Sequence, residues 1–229
     1  IYYDTAPGSD AEARIDADGN LTLTGEVLAH TSDIRLPGAH SRANALAAAA
    51  LARSFGVSPT QIAAALRGFG GVEHRLELVR EIGGVRYVND TTATNPAAAL
   101  AALEAITTPI VLIAGGADKQ LEFAELGAAI ARRVKALILL EGTATQRLSR
   151  AIAEAGGRGL DAGARYRDFA AAVTAARRMA GPGDTVLLSP GCASFGMFRN
   201  EFHRGEEFRR IVHGLTTDGG RPTPETGAL

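Results

Sequence analysis

PIVLIAGGADK, residues 109–119, decides how this chain is read. Five consecutive apolar residues, Ile110–Ala114, run into Gly115-Gly116 and then into Asp118 and Lys119. A short, uninterrupted apolar run closed by glycine is the pattern of a strand buried on both faces, as in a parallel sheet. Downstream, the spacing predicts a helix over Leu121–Arg133, a strand over Ala136–Leu140, helices over Thr145–Ala155 and Phe169–Met179, a strand over Thr185–Leu188 and a last helix over about Arg204–His213. Upstream, it predicts a helix over Pro96–Ala105, preceded by strands Leu76–Ile82 and Val85–Asn89. Those two strands flank Gly83-Gly84, a hairpin signal. Apolar strands alternating with helices indicate an α/β fold with a mostly parallel sheet and helices on both faces.

The front of the chain differs. Asn20–Leu28 alternates like a strand, Leu36-Pro37-Gly38 interrupts it, and an Ala/Leu-rich helix follows from His40 to Phe55. Ser58-Pro59 opens a second helix, with Gln61 placed to complete a capping box and Gly68 to end it. The change at Gly68–Val72 is the expected domain boundary. Residues 1–72, two helices and a strand, look like the end of a domain that begins upstream. The tail 216–229, rich in Gly, Pro and Thr, is expected to be disordered.

Composition bounds the function. The 229 residues carry 24 Lys+Arg against 25 Asp+Glu, a net charge of -1, so no broad basic surface for nucleic acid is expected. Only two of the basic residues, Lys119 and Lys135, are lysines, which singles each out. One cysteine, Cys192, permits neither an internal disulfide framework nor a multi-cysteine zinc site, and fits a reducing compartment. The apolar runs are too short to span a bilayer and no targeting segment is visible, so a cytoplasmic protein without membrane insertion is expected. Neither lysine follows a glycine, so there is no P-loop in this stretch. GxGxxG after a strand, HExxH and GxSxG are absent too.

Polar residues remain at three strand ends: Asn89–Asn95, Gly115–Lys119 and Ser189–Ser194. Open parallel sheets bind ligands there. Each alone is also an ordinary turn or helix cap.

With these residues in place, the chain resembles the C-terminal part of a Mur ligase, most closely the branch that adds D-glutamate. The resemblance rests on LPGAHSRANALA (36–47), HRLE (74–77), VNDTTATNP (88–96), GGADK (115–119) and LSPGCASFGMFRNEFHRG (188–205). It implies a Rossmann-like C-terminal domain over 73–215, preceded by the helical end of a central ATPase domain. The P-loop, the Mg²⁺ ligands and a carbamylated lysine would lie upstream, and this stretch alone would be inactive. The implied reaction uses ATP to phosphorylate the carboxylate of UDP-N-acetylmuramoyl-L-alanine. The amine of D-glutamate then attacks the acyl phosphate, in a monomeric enzyme. Another Mur-type or folylpolyglutamate-type ligase, and a stand-alone small-ligand domain, are the alternatives.

The resemblance also implies roles. Asn44 would face adenine, Arg75 would reach nucleotide phosphate and Asp90 would hold the ribose hydroxyls of ATP. Thr94 and Lys119 would hold the D-glutamate side-chain carboxylate. Ser194 would take its α-carboxylate, with the amides from Phe195 onward acting as a helix start. No catalytic residue and no metal ligand is assigned in this stretch. The plainer alternatives are a surface asparagine for Asn44, a salt bridge for Arg75, a helix cap for Asp90 and a solvated Lys119. Thr92, Gly196 and Glu201 depart from the family pattern, the last standing where an aromatic residue is usual. Cys192 reads as packing and Lys135 as solvated.

Overall fold

The computed structural model describes residues 1–216 apart from 7, 37, 158 and 161–164, so the expectation for the tail lies, from residue 217 on, outside the described residues. The front portion is more elaborate than one strand and two helices. Four short strands, β1 (Tyr3–Asp4), β2 (Ala13–Ile15), β3 (Asn20–Leu23) and β4 (Glu26–His30), form a sheet in sequential order. The stretch expected to be one strand is a hairpin. Thr24 and Gly25 both take positive φ, 48° and 87°, and reverse the chain between β3 and β4. Alternation continues through the turn, which is why the sequence pattern hides it. Helices α1 (Ala39–Ser54) and α2 (Pro59–Gly68) cover this sheet. Ser58 caps α2 reciprocally with Gln61, as the capping box predicts. Leu21, Leu28, Leu46 and Ile62 belong to an apolar cluster of this portion's own residues.

The second portion carries β5 (Glu77–Ile82), β6 (Val85–Asn89), α3 (Pro96–Ala105), β7 (Ile110–Ala114), α4 (Ala124–Arg133), β8 (Val134–Leu140), α5 (Thr145–Glu154), β9 (Arg165–Tyr166), α6 (Phe169–Met179), β10 (Thr185–Leu188) and α7 (Glu201–His213). The six strands order as β5-β6-β10-β7-β8-β9; β5 is antiparallel to β6 and every other pair is parallel. β7 divides its side chains by parity. Ile110, Leu112 and Ala114 pack with α3, α4 and α5 on one face, whereas Val111 and Ile113 pack with α6 and α7 on the other. Both faces are therefore covered, as the apolar runs require.

Two helix starts differ from the sequence reading by three residues, and one strand was not read at all. α4 starts at Ala124, three residues late, because Asp118 and Gln120 form a turn in which Gln120 has φ 59°. α7 starts at Glu201, three residues early, because Asn200 caps it by accepting from the His203 amide at 2.8 Å. The two-residue edge strand β9 is too short to give a pattern.

Leu112 lies in the middle of the sheet and is fully buried. Replacement by Ala should lower the unfolding free energy by about 2–5 kcal/mol, read from denaturant titration of the two proteins.

Candidate functional site

The sheet order places β10 between β6 and β7, so the three polar strand ends share one edge. Their backbones are stitched together beyond the strands. The Gly115 amide donates to the Pro190 carbonyl at 2.9 Å, Gly191 to Ala93 at 2.9 Å, and Ala117 and Ala193 exchange hydrogen bonds of 2.9 and 3.2 Å. Gly116 makes the close approach possible. Its φ is 143°, and a Cβ there would stand 2.3 Å from the Ala193 carbonyl oxygen.

Asp90 directly follows β6 and is 4% exposed. Its carboxylate accepts from the Ser189 hydroxyl at 2.8 Å and from the Leu76 amide at 3.2 Å. It does not cap the following helix. Asn95 does, accepting from the Ala98 amide at 2.9 Å with Pro96 at the first helical position. Burial is the main influence on the Asp90 carboxyl and pushes it up to about 6, against the lowering effects of Ser189, Leu76 and Arg75.

Residues 74–76 connect the two portions in an uncommon conformation: His74 and Leu76 have φ of 65° and 46°. Side chains of the second portion hold them there. The Thr92 hydroxyl donates to the His74 carbonyl at 3.0 Å, and Asp90 takes the Leu76 amide. The His74 ring is buried. Asn89 Nδ2 donates to its Nδ1 at 2.9 Å, so the ring proton belongs on Nε2, which faces Glu206 Oε1 at 3.2 Å. His74 is thus a buried anchor of the linker. Gly205 must be small beside it, because a Cβ would lie 2.4 Å from His74 Nδ1.

Arg75, exposed between these anchored neighbours, lines a cavity of about 430 Å³ with Asn44, His40, Ala45, Leu66 and Leu76. Asn44 and Arg75, from different portions of the chain, are therefore brought together. Arg75's positive charge reaches both the His40 imidazole, which burial and Arg75 hold below its ordinary value, and the Asp90 carboxylate. The cavity walls are largely apolar, suited to a flat heterocycle, with Arg35 and Arg75 among the lining residues. A larger depression of about 770 Å³, lined by Ser9, Asp10, Arg14 and Arg42, holds none of the expected site residues.

The other expected residues occupy the loops after β6, β7 and β10. Thr94 is half-buried, and Lys119 is exposed and forms no ion pair among the described residues. Its neighbour Asp118 is occupied by Arg147 at 2.8 Å. Ser194 is buried, and Phe195 is 62% exposed. One expectation fails here: no helix starts after Ser194. Residues 195–197 form a turn with Gly196 at φ 94°, and α7 begins at Glu201. An anion at Ser194 would therefore meet turn amides, not a helix N-terminus. Cys192 is buried, its thiol pushed up to about 12 chiefly by burial, which leaves it unreactive. Arg204 was missed by sequence reading, yet is fully buried against these loops. Its signal was present: Arg204, Phe208 and Val212 recur every four residues and so share the core-facing side of α7. Among the described residues no group of three or more His, Cys, Asp or Glu is placed to hold a metal.

The Asp90 carboxyl has a testable sign. Its folded value of about 6 stands above the ordinary 3.8, so between those pH values the folded chain keeps a proton that the unfolded chain releases. Stability should fall as pH rises through that window. Asp90→Asn should remove this fall, by up to about 3 kcal/mol at about 1.4 kcal/mol per pH unit, in unfolding curves recorded from pH 4 to 7.

Comparison with known proteins agrees with this architecture. Residues 74–192 match the family described as Mur ligase, glutamate ligase domain. The chain is 60% identical over 190 residues to a UDP-N-acetylmuramoylalanine--D-glutamate ligase from Roseiflexus sp. (strain RS-1), covering 83% of this chain and 41% of the relative. It is 46% identical over 191 residues to the protein of that name from Pelotomaculum thermopropionicum, covering 83% and 41%. The chain thus spans about two fifths of the length of these curated relatives. Among solved structures, Mycobacterium tuberculosis folylpolyglutamate synthase complexed with ADP and AMPPCP superposes with TM-score 0.62 at 17% identity, covering 90% of this chain and 49% of that one. A pseudomurein peptide ligase type C from Methanothermus fervidus gives TM-score 0.63 at 15% identity, covering 91% and 43%. With the family matched over more than half its length, on the sheet edge that carries the candidate site, this chain belongs to the Mur ligase family through its glutamate ligase domain.

Proposed function

We propose that the chain is the C-terminal part of an ATP-dependent ligase that joins D-glutamate to UDP-N-acetylmuramoyl-L-alanine. The observation that carries this reading is the convergence of Asn44, Arg75 and Asp90 around one cavity and strand end, next to the loops bearing Thr94, Lys119 and Ser194. The 60% identity to a relative of that name supports the choice of amino acid. The same reading divides the chain near residues 68–72, where the apolar clusters on either side share no residue.

In this reading Asn44 offers a donor and an acceptor to the adenine edge. Arg75 holds phosphate oxygens with a guanidinium fork. Asp90 accepts from the ribose, its carboxylate already oriented by Ser189 and Leu76. ATP supplies the phosphoryl group that activates the acceptor carboxylate; the amine of D-glutamate then displaces phosphate to form the amide. Lys119 and Thr94 fix the side-chain carboxylate and Ser194 the α-carboxylate, which turns the amine toward the acyl carbon. No residue of this stretch is given a metal to hold. The alternative of a stand-alone ligand-binding domain explains the strand-end loops but gives no reason for Asn44 and Arg75 to meet across the linker.

Two measurements check this. The 229-residue chain by itself should release no ADP when given ATP and both substrates, because it has no Gly-Lys-Ser/Thr loop to hold the β- and γ-phosphates. In the parent enzyme, Lys119→Ala should lower kcat/KM for D-glutamate by about 1.5–3 kcal/mol, the scale of a hydrogen bond to a charged group. The KM for ATP should stay unchanged, and steady-state kinetics with each substrate varied would reveal an effect on the wrong one.

A further inference from the structure

Lys119 stands next to an acid. Asp118 and Lys119 share the loop after β7, at the sheet edge that carries the candidate site. An acid beside a carboxylate-binding lysine works against it, because it competes for the ammonium and repels the ligand. The charge of Asp118 also carries across the edge: it is felt at the Cys192 thiol, in the loop after β10.

The fold gives that acid another partner. Arg147, on α5, donates from Nη1 to Asp118 Oδ2 at 2.8 Å, and its Nη2 lies 3.6 Å from Glu122 Oε1. Its guanidinium also sits over the buried Phe123 ring, 5.7 Å from the centroid. The same stretch of chain seats the loop. The Asp118 amide donates to Thr143 Oγ1 at 2.8 Å, the Gly116 amide to Thr145 Oγ1 at 3.3 Å, and the Ala144 amide to the Gly116 carbonyl at 3.0 Å. Asp118 Oδ1 accepts from the Gln120 amide at 2.7 Å, so both of its oxygens are engaged. Arg147 is the leading influence on the Asp118 carboxyl and holds it below the usual carboxylate value. Lys119, one residue on, is exposed and forms no ion pair among the described residues. A surface ion pair contributes little to stability, so the use of this one lies in what it prevents.

We propose that Arg147 is a positioning residue that acts through Asp118: by occupying the Asp118 carboxylate it leaves the Lys119 ammonium free for the side-chain carboxylate of the incoming amino acid and stops Asp118 from repelling it. The inference rests on the functional reading above, in which Lys119 meets that carboxylate. Arg147 itself need not touch the substrate.

The test uses the parent ligase and three variants: Arg147→Met, Asp118→Asn and the two combined. Asparagine keeps an acceptor for the Gln120 amide and removes the charge. In Arg147→Met the KM for D-glutamate should rise about fivefold, with kcat and the KM for ATP within about twofold of wild type. Asp118→Asn alone should stay within about twofold, and the double variant should return to within about twofold. A residue that only packs is not rescued by removing the acid. A KM that stays raised in the double variant, or that never rises in Arg147→Met, overturns the proposal. If wild type releases no ADP in response to D-glutamate, the substrate reading falls, and the reactivity of Lys119 then decides the role of Arg147. Brief treatment with acetic anhydride, mapped by mass spectrometry, should acetylate Lys119 about threefold more slowly in Arg147→Met than in wild type, because the freed acid holds the ammonium proton. The double variant should react at the wild-type rate. Lys135, paired with Asp184 at 2.5 Å, serves as the internal reference. Equal Lys119 rates in all the proteins overturn the proposal whatever the substrate.

Discussion

A parallel sheet presents ligand-binding residues where its strands end, and here the essential constraint is that β6, β10 and β7 must end side by side. Ladder hydrogen bonds bring the strands level; the bonds beyond them, from Gly115 to Pro190, Gly191 to Ala93 and between Ala117 and Ala193, keep the loops together. Backbone does this work, so the side chains at the edge are left to face a ligand. Glycine is what lets main chain meet main chain at Gly116, and the same need for close approach explains Gly205 beneath His74.

Electrostatics then grade the edge from wet to dry. Lys119 at the rim is exposed to solvent. Asp90 is buried with two donors, and burial outweighs them. Arg204 is deeper still, its guanidinium pushed down to about 10 mainly by burial.

Much of this was legible in the sequence, and the reasons differ by element. β7 was clear because a strand buried on both faces leaves no polar residue to blur the run, β10 because only its first residue, Thr185, is polar, and α3 because Asn95-Pro96 is a helix start in chemistry as well as in position. The strand-end loops were legible because polar residues there interrupt an apolar pattern. The β3–β4 hairpin was hidden by a turn that preserves alternation, and β9 by having only two residues. The helix start expected after Ser194 came from the family resemblance; a turn with Gly196 at positive φ stands there instead. Arg204 escaped because arginine is ordinarily taken as a surface residue. His74 escaped because its burial is imposed by Asn89 and Glu206, from elements far from it in sequence.

The position of β10 has a consequence for how the chain is made. Among the described residues it is the last strand in sequence, yet it fills the slot between β6 and β7, and about a hundred residues separate it from its β6 partners. Until residues 185–194 have emerged from the ribosome, β6 and β7 each have an unpaired edge, and Asp90 lacks the Ser189 hydroxyl. The nascent chain can build α4 against α5 and pair β7 with β8 early, since those contacts are local. The ligand edge cannot form piecemeal: it closes when one late strand inserts, so assembly of the sheet's centre and assembly of the site are a single event.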